Sequence, residues 1–156
     1  MNARLFLKIS MVPAIVTCCL LMSGIPAMAQ WEPNTSSQSP WRCSNKSLLG
    51  NYGFVIEGTI LDANAPIRGL ALQHYDGRGH ITQVDHVVFG GYPPTQDWTP
   101  GTGTYTVNPD CTGSGVINTP SNPAPVVLHF VVVDHGKTIK QVVDANAVVA
   151  IGDKVD

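Results

Sequence analysis

The stretch QHYDGRGHITQVDH, residues 73 to 86, sets His74, His80 and His86 among Asp76 and Asp85. Imidazole and carboxylate are the groups that ligate zinc and that carry general acid–base chemistry, so this segment is the first place to look for a site. Zinc binds histidine nitrogen at about 2.0 Å, so two histidines of one metal centre must lie within a few ångströms of each other. If Asp76-Gly77-Arg78-Gly79 is the turn of a hairpin, Tyr75 lies opposite His80, and 74 pairs with 81, 72 with 83 and 70 with 85. His74 is then on the opposite face from His80 and His86. Those two share a face, but six residues of strand separate them by roughly 20 Å. The hairpin alone cannot build a metal centre, and the histidines read as turn-flanking and surface residues. A bulge would change this parity, and a neighbouring strand could bring His129 or His135 close. The expectation is no metal and no cofactor.

The same register sorts the hairpin into two faces. Leu70, Leu72, His74, Ile81, Gln83, Asp85, Val87 and Phe89 fall on one, and Ala71, Gln73, Tyr75, His80, Thr82, Val84, His86 and Val88 on the other. The first is the more apolar and is expected to face inward. It carries Gln83 and Asp85 with it, and a buried carboxylate needs hydrogen bonds or the water of a cavity. The alternative is an Asp85 solvated near a barrel mouth. Tyr52, Phe54, Leu72, Asp85 and Phe89 are the residues expected to line such a cavity.

The elements that must position these groups are strands. NYGFVIEGTIL, residues 51–61, puts Tyr52, Phe54 and Ile56 on one face at period two. Residues 68–91 read as strand, turn, strand, with glycines supplying the positive φ of a tight turn. PPTQDWTPGTG, residues 93–103, reads as loop. Residues 104–118 form two short strands about Asn108-Pro109-Asp110, and TPSNPAP is again loop. Residues 126–152 read as one strong strand, a turn at Asp134-His135-Gly136, and two further strands. Six to eight short strands with Gly/Pro turns and no helical stripe mean a barrel or a sandwich.

The first 29 residues have the form of an export leader, with Arg4 and Lys8, then the apolar run MVPAIVTCCLLM, then Ala27 and Ala29 at the small positions of a cleavage site. Pro13 and Thr17 interrupt the run, which falls short of the roughly 20 apolar residues of a membrane span. A membrane anchor is thus the rival reading that the run opposes, and lipidation at Cys18 is opposed by Thr17 before it and by its place inside the apolar run. The mature chain of 127 residues is then one domain in the periplasm or outside the cell, with a Pro- and Ser-rich, disordered lead-in at 30–42 and the domain itself at 43–156. It keeps two cysteines, Cys43 and Cys111, and in an oxidising compartment these are expected to pair. A bond across 68 positions stabilises by roughly 4 kcal/mol in the loop-entropy model.

Losing Arg4 and Lys8 leaves seven basic residues against eleven acidic ones, a formal charge of −4, with the basic residues scattered singly. Nucleic acid and anionic membrane surfaces both need a basic face, so neither is an expected partner. The chain has no Gly-x-Ser-x-Gly elbow, no His-Glu-x-x-His, no Cys-x-x-Cys beyond the leader and no glycine loop opening a helix. Asn34 and Asn45 begin glycosylation patterns that matter only in a glycosylating host.

CSNKSLLGNYGF, YDGRGHIT, GTYTVNPDCTGSG and VVVDHGKTIKQVV together resemble a group of small exported bacterial proteins. Their shape is similar to the allene oxide cyclase-like barrel that dirigent proteins share, over roughly residues 43–153. The resemblance implies an all-β, antiparallel barrel, allene oxide cyclase-like or lipocalin-like. Its motifs are glycines and turn residues, which carry a fold and no catalytic role. Three functions follow as expectations. A binding protein would hold a small apolar or aromatic molecule in the barrel; an accessory protein would have a filled interior; a cyclase- or isomerase-like enzyme would use Asp85 or His129 as its acid or base.

Overall fold

The structure, a computed structural model, describes residues 41–155. The expected leader and nearly all of the expected lead-in lie outside the described residues. Eight antiparallel strands follow one another around a closed barrel: β1 (Gly50–Ile60), β2 (Ala65–Tyr75), β3 (His80–Phe89), β4 (Thr99–Val107), β5 (Thr112–Asn118), β6 (Val126–Val133), β7 (Thr138–Val143) and β8 (Ala147–Val155). Each strand pairs with its neighbours in sequence, and a single seam, β1 against β8 from Asn51↔Val155 to Thr59↔Ala147, closes the sheet. Short 3-10 turns lie at Asn45–Leu48 and Asp134–Gly136.

The barrel arises from strict two-residue alternation, which sends one side chain in and the next out along every strand. Tyr52 and Phe54 point in from β1, Tyr105 and Val107 from β4, Leu128, Phe130 and Val132 from β6, and Ile139 and Gln141 from β7. One difference from the sequence reading lies in β4. Its first residues, Thr99 to Gly103, read as loop because Pro100, Gly101 and Gly103 carry no strand signal, yet they pair with β3 from Asp85↔Thr99 to Ile81↔Gly103. Glycine is tolerated there because larger neighbours use the space: a Cβ on Gly101 would lie 2.8 Å from the Gln83 side chain.

A second difference corrects the hairpin register. Tyr75 pairs with Ile81, Gln73 with Gln83 and Ala71 with Asp85, one position away from the expected pairing. The turn holds five residues between paired strands, because Asp76 organises it. Its Oδ1 accepts from the backbone N–H of Arg78, Gly79 and His80 at 2.7, 2.9 and 3.0 Å, and Gly77 and Gly79 take positive φ. A one-residue slip moves every side chain of a strand to the other face. Leu70, Leu72 and His74 therefore face outward, while Ala71, Gln73 and Tyr75 face in. Of the set expected inward on β3, Ile81, Gln83 and Asp85 are inward, Val87 is half-buried and Phe89, at the strand's end, is exposed.

The two ends of the barrel differ. At the end where β1 begins, Cys43 and Cys111 form a disulfide with Cα atoms 4.9 Å apart, tying the chain before β1 to the β4–β5 turn. Below it, Tyr52, Tyr75 and Tyr105 pack edge to face, with ring centroids 5.4 and 5.0 Å apart. Buried tyrosine hydroxyls need partners, and each has one: Tyr52 donates to the Gly136 carbonyl, Tyr75 to Gln73 Oε1 at 2.7 Å and Tyr105 to the Asn45 carbonyl at 3.0 Å. Leu48, Phe54, Phe130 and Ile139 complete the plug.

Candidate functional site

Past Phe54 and Phe130 the interior opens. A cavity of about 620 Å³ runs to the other end of the barrel, where Phe89, Tyr92, Pro93, Ser121 and Asn146 frame its mouth. This lies within the range that holds a small organic ligand. Ile56, Ile67, Ile117, Leu128, Val143 and Val148 contribute aliphatic wall, each from a different strand. The polar lining includes the buried Gln73, Asp85, Thr99 and Gln141 and the half-buried Gln83, with Thr95, Thr119, Ser121, Asn122 and Asn146 besides.

Three of those residues form a chain that begins in the tyrosine plug. The Tyr75 hydroxyl donates to Gln73 Oε1, Gln73 Nε2 donates to Gln83 Oε1 at 2.9 Å, and Gln83 Nε2 donates to Asp85 Oδ2 at 2.6 Å. Every donor in the series points the same way, and the series ends on the carboxylate. Asp85 is 9% exposed. Burial pushes its carboxyl above the ordinary range, against the pull of the Gln83 amide and of nearby His86. Across the barrel Gln141, 6% exposed, lines the same cavity, and its Oε1 has no hydrogen-bond partner among the described residues. A buried polar atom without a partner costs roughly 1–3 kcal/mol, so a hydrogen-bond donor brought to this acceptor would be favoured there.

Of the residues expected to line a cavity, the structure brings Asp85 and Phe89 to this one. Tyr52 and Phe54 are inward but belong to the plug. Leu72 sits on the outer surface, 45% exposed, which follows from the corrected register. Gln73 escaped the sequence reading for the same reason. Gln141 escaped it although Ile139, Gln141 and Val143 alternate in KTIKQVV, a period-two signal that marks one face of a strand and could have found it.

The histidines are dispersed over the outer surface. His74 bonds Asn51, His80 bonds Asp76 and His129 bonds Asp144, each at 2.9 Å. His86 lies 2.6 Å from the Asp97 carbonyl and packs on Trp98, and the His135 ring meets Trp41. His129 is thus held outside, away from the interior where an acid or base was expected of it. Among the described residues no three His, Cys, Asp or Glu side chains come together in a group that could hold a metal ion.

The fold and the interior define a class by shape: an eight-stranded up-and-down barrel, plugged at one end and open at the other. Neither a family model nor a curated protein matches the chain.

Proposed function

We propose that the protein binds a small, largely apolar molecule in the open half of its barrel. The observation that carries this reading is the cavity of about 620 Å³, walled by aliphatic side chains and open at one end. An eight-stranded barrel is just wide enough for side chains to fill, so space left open needs a reason. The orphan Oε1 of Gln141 supports the same reading, because a ligand polar group meeting it would remove a standing cost.

The test is a thermal-shift screen of phenolics, isoprenoids and aliphatic compounds against the purified protein, with native mass spectrometry to establish stoichiometry. A ligand at 100 times its dissociation constant adds about 2.7 kcal/mol to stability. Val148→Trp, which fills the cavity from β8, should abolish the shift. A screen in which no class shifts the protein, or in which Val148→Trp leaves the shift intact, removes the reading.

One observation favours a second reading, catalysis. Asp85 is a buried carboxyl pushed above its ordinary range inside a cavity, the condition in which carboxyls serve as general acids or bases. An Asp85→Asn variant that binds a ligand with unchanged affinity, but no longer converts it to product, would place the enzyme first.

A further inference from the structure

The cavity's polar groups are unbalanced in sign. Among the described residues lining it there is one carboxylate, Asp85, and no lysine, arginine or histidine. Asp85 Oδ2 is occupied by Gln83 Nε2, and among the described residues no other hydrogen bond or ion pair reaches the carboxylate. Gln83 sits two residues back on the same strand, so the second oxygen is left to the cavity that Asp85 lines.

The aligned donors sharpen the point. Tyr75, Gln73 and Gln83 pass their donors in one direction, and the positive end of each dipole faces the next acceptor until the series reaches Asp85. The terminal group of such a series is an acceptor, and its partner must be a donor. The second oxygen of Asp85 is open to the cavity rather than sealed in the wall, and a carboxylate with most of its residue buried is stabilised when a cation pairs with it there. Anionic heads are excluded by the same inventory. A fatty carboxylate or phosphate entering head first would meet a like charge and no compensating base in the lining, since nearby His86 is not part of it.

We propose that the cavity takes an apolar amine, bound as its ammonium ion with the nitrogen on the free oxygen of Asp85 and the hydrocarbon along Ile67, Leu128 and Val148. Gln141, on the opposite side of the barrel, supplies a neutral acceptor to a second donor or to a water carried in with the head. The proposal rests on the binding reading above and specifies its ligand: Asp85 selects for charge, and the aliphatic wall selects for the body.

The experiment compares three probes with one hydrocarbon body, octylamine, octanol and octanoate, by titration calorimetry against the purified protein near neutral pH. An alkylamine is protonated there, as a lysine side chain is. Octylamine should bind at least ~10-fold tighter than octanol, which corresponds to about 1.4 kcal/mol, and octanoate should bind more weakly than octanol. Asp85→Asn should bring amine and alcohol to within about 2-fold of each other while leaving octanol binding in place, a difference of roughly 0.4 kcal/mol. The comparison of probes on the unmodified protein needs no variant, so it stands even if Asp85→Asn folds poorly. If octanol binds as well as octylamine, or if the amine preference survives in a folded Asp85→Asn protein, the charge selection is wrong and the cavity reading stands. If none of the three binds, the cavity reading falls and this proposal with it.

Discussion

Gln83 Nε2 donates to Asp85 Oδ2 at 2.6 Å from two residues away on the same inward face of β3, so a buried carboxylate has its hydrogen-bond donor on its own strand. That donor offsets burial only in part, and the Asp85 carboxyl stays above its ordinary range.

The sign of its pH dependence follows. A carboxyl whose value is raised on folding lowers stability wherever it is ionised in both states. Stability therefore climbs as pH falls through the folded value, and the gain is complete below the unfolded value near ~4. Asp85→Asn should make the unliganded protein more stable than wild type near neutrality, and that advantage should vanish on acidification. Urea midpoints of the two proteins, compared as a difference, are the measurement. The difference is needed because Asp76, held low chiefly by the His80 backbone N–H, and Asp110, held low chiefly by the Thr112 hydroxyl, act in the opposite sense. An advantage that persists unchanged at low pH would contradict the assignment.

The tyrosine plug sets the alkaline limit. Burial pushes Tyr52 and Tyr105 up from 10.0 to about 12, and pushes Tyr75 up further, with its two tyrosine neighbours adding to the effect. Phenols raised on folding contribute stability in full below their unfolded value, and the contribution is lost as pH rises toward their folded values. Stability should hold to about pH 10 and then fall steeply as the folded values are approached. Tyrosinate absorbance followed beside circular dichroism should show these phenols ionising together with loss of structure. Full ionisation in an intact barrel would be the contrary result.

Gly152 lets Phe54 lie across the barrel, since a Cβ at that position would stand 2.4 Å from the ring. Gly152→Val should destabilise by roughly 1–3 kcal/mol through overpacking. Phe54→Leu in the same chain should recover part of the loss, because the two sites share one volume. Additive losses in the double variant, measured by denaturant unfolding, would mean that the glycine serves something other than the ring.

Gln141→Leu replaces an orphaned amide by an apolar group of similar size. Without ligand it should raise stability by about 1 kcal/mol. A loss of that size would mean that the amide has a partner in solution.

How far these residues could be read from the chain depended on what each one's neighbours reveal. Tyr52, Phe54 and Ile56 alternate without interruption, so β1 and its inward face were plain. The disulfide followed from the two cysteines outside the expected leader, and the structure forms it. The β2–β3 register was not legible in the same way, because it turns on whether the loop contains four residues or five. That is decided by the side chain of Asp76 accepting three backbone N–H groups, a local geometry that leaves no periodic trace. Asp85 was reached despite this error, since β3 was placed on the correct face while β2 was not. The cavity was least legible of all, because emptiness depends on which inward residues from eight strands meet at one height.

The order of the strands around the barrel has a kinetic meaning. Seven of the eight pairings join neighbours in the chain and can form as local hairpins, whereas the seam between β1 and β8 joins the two extremes of the domain. Closing that seam requires the longest search, and topologies with distant pairings fold more slowly. The bond between Cys43 and Cys111 shortens the search before it starts, because it holds the approach to β1 beside the middle of the chain. Once the cross-link exists, β8 needs to find a strand that is separated from it by only the β5–β8 half of the barrel. An oxidised chain therefore has a shorter loop to close between β1 and β8 than a reduced one.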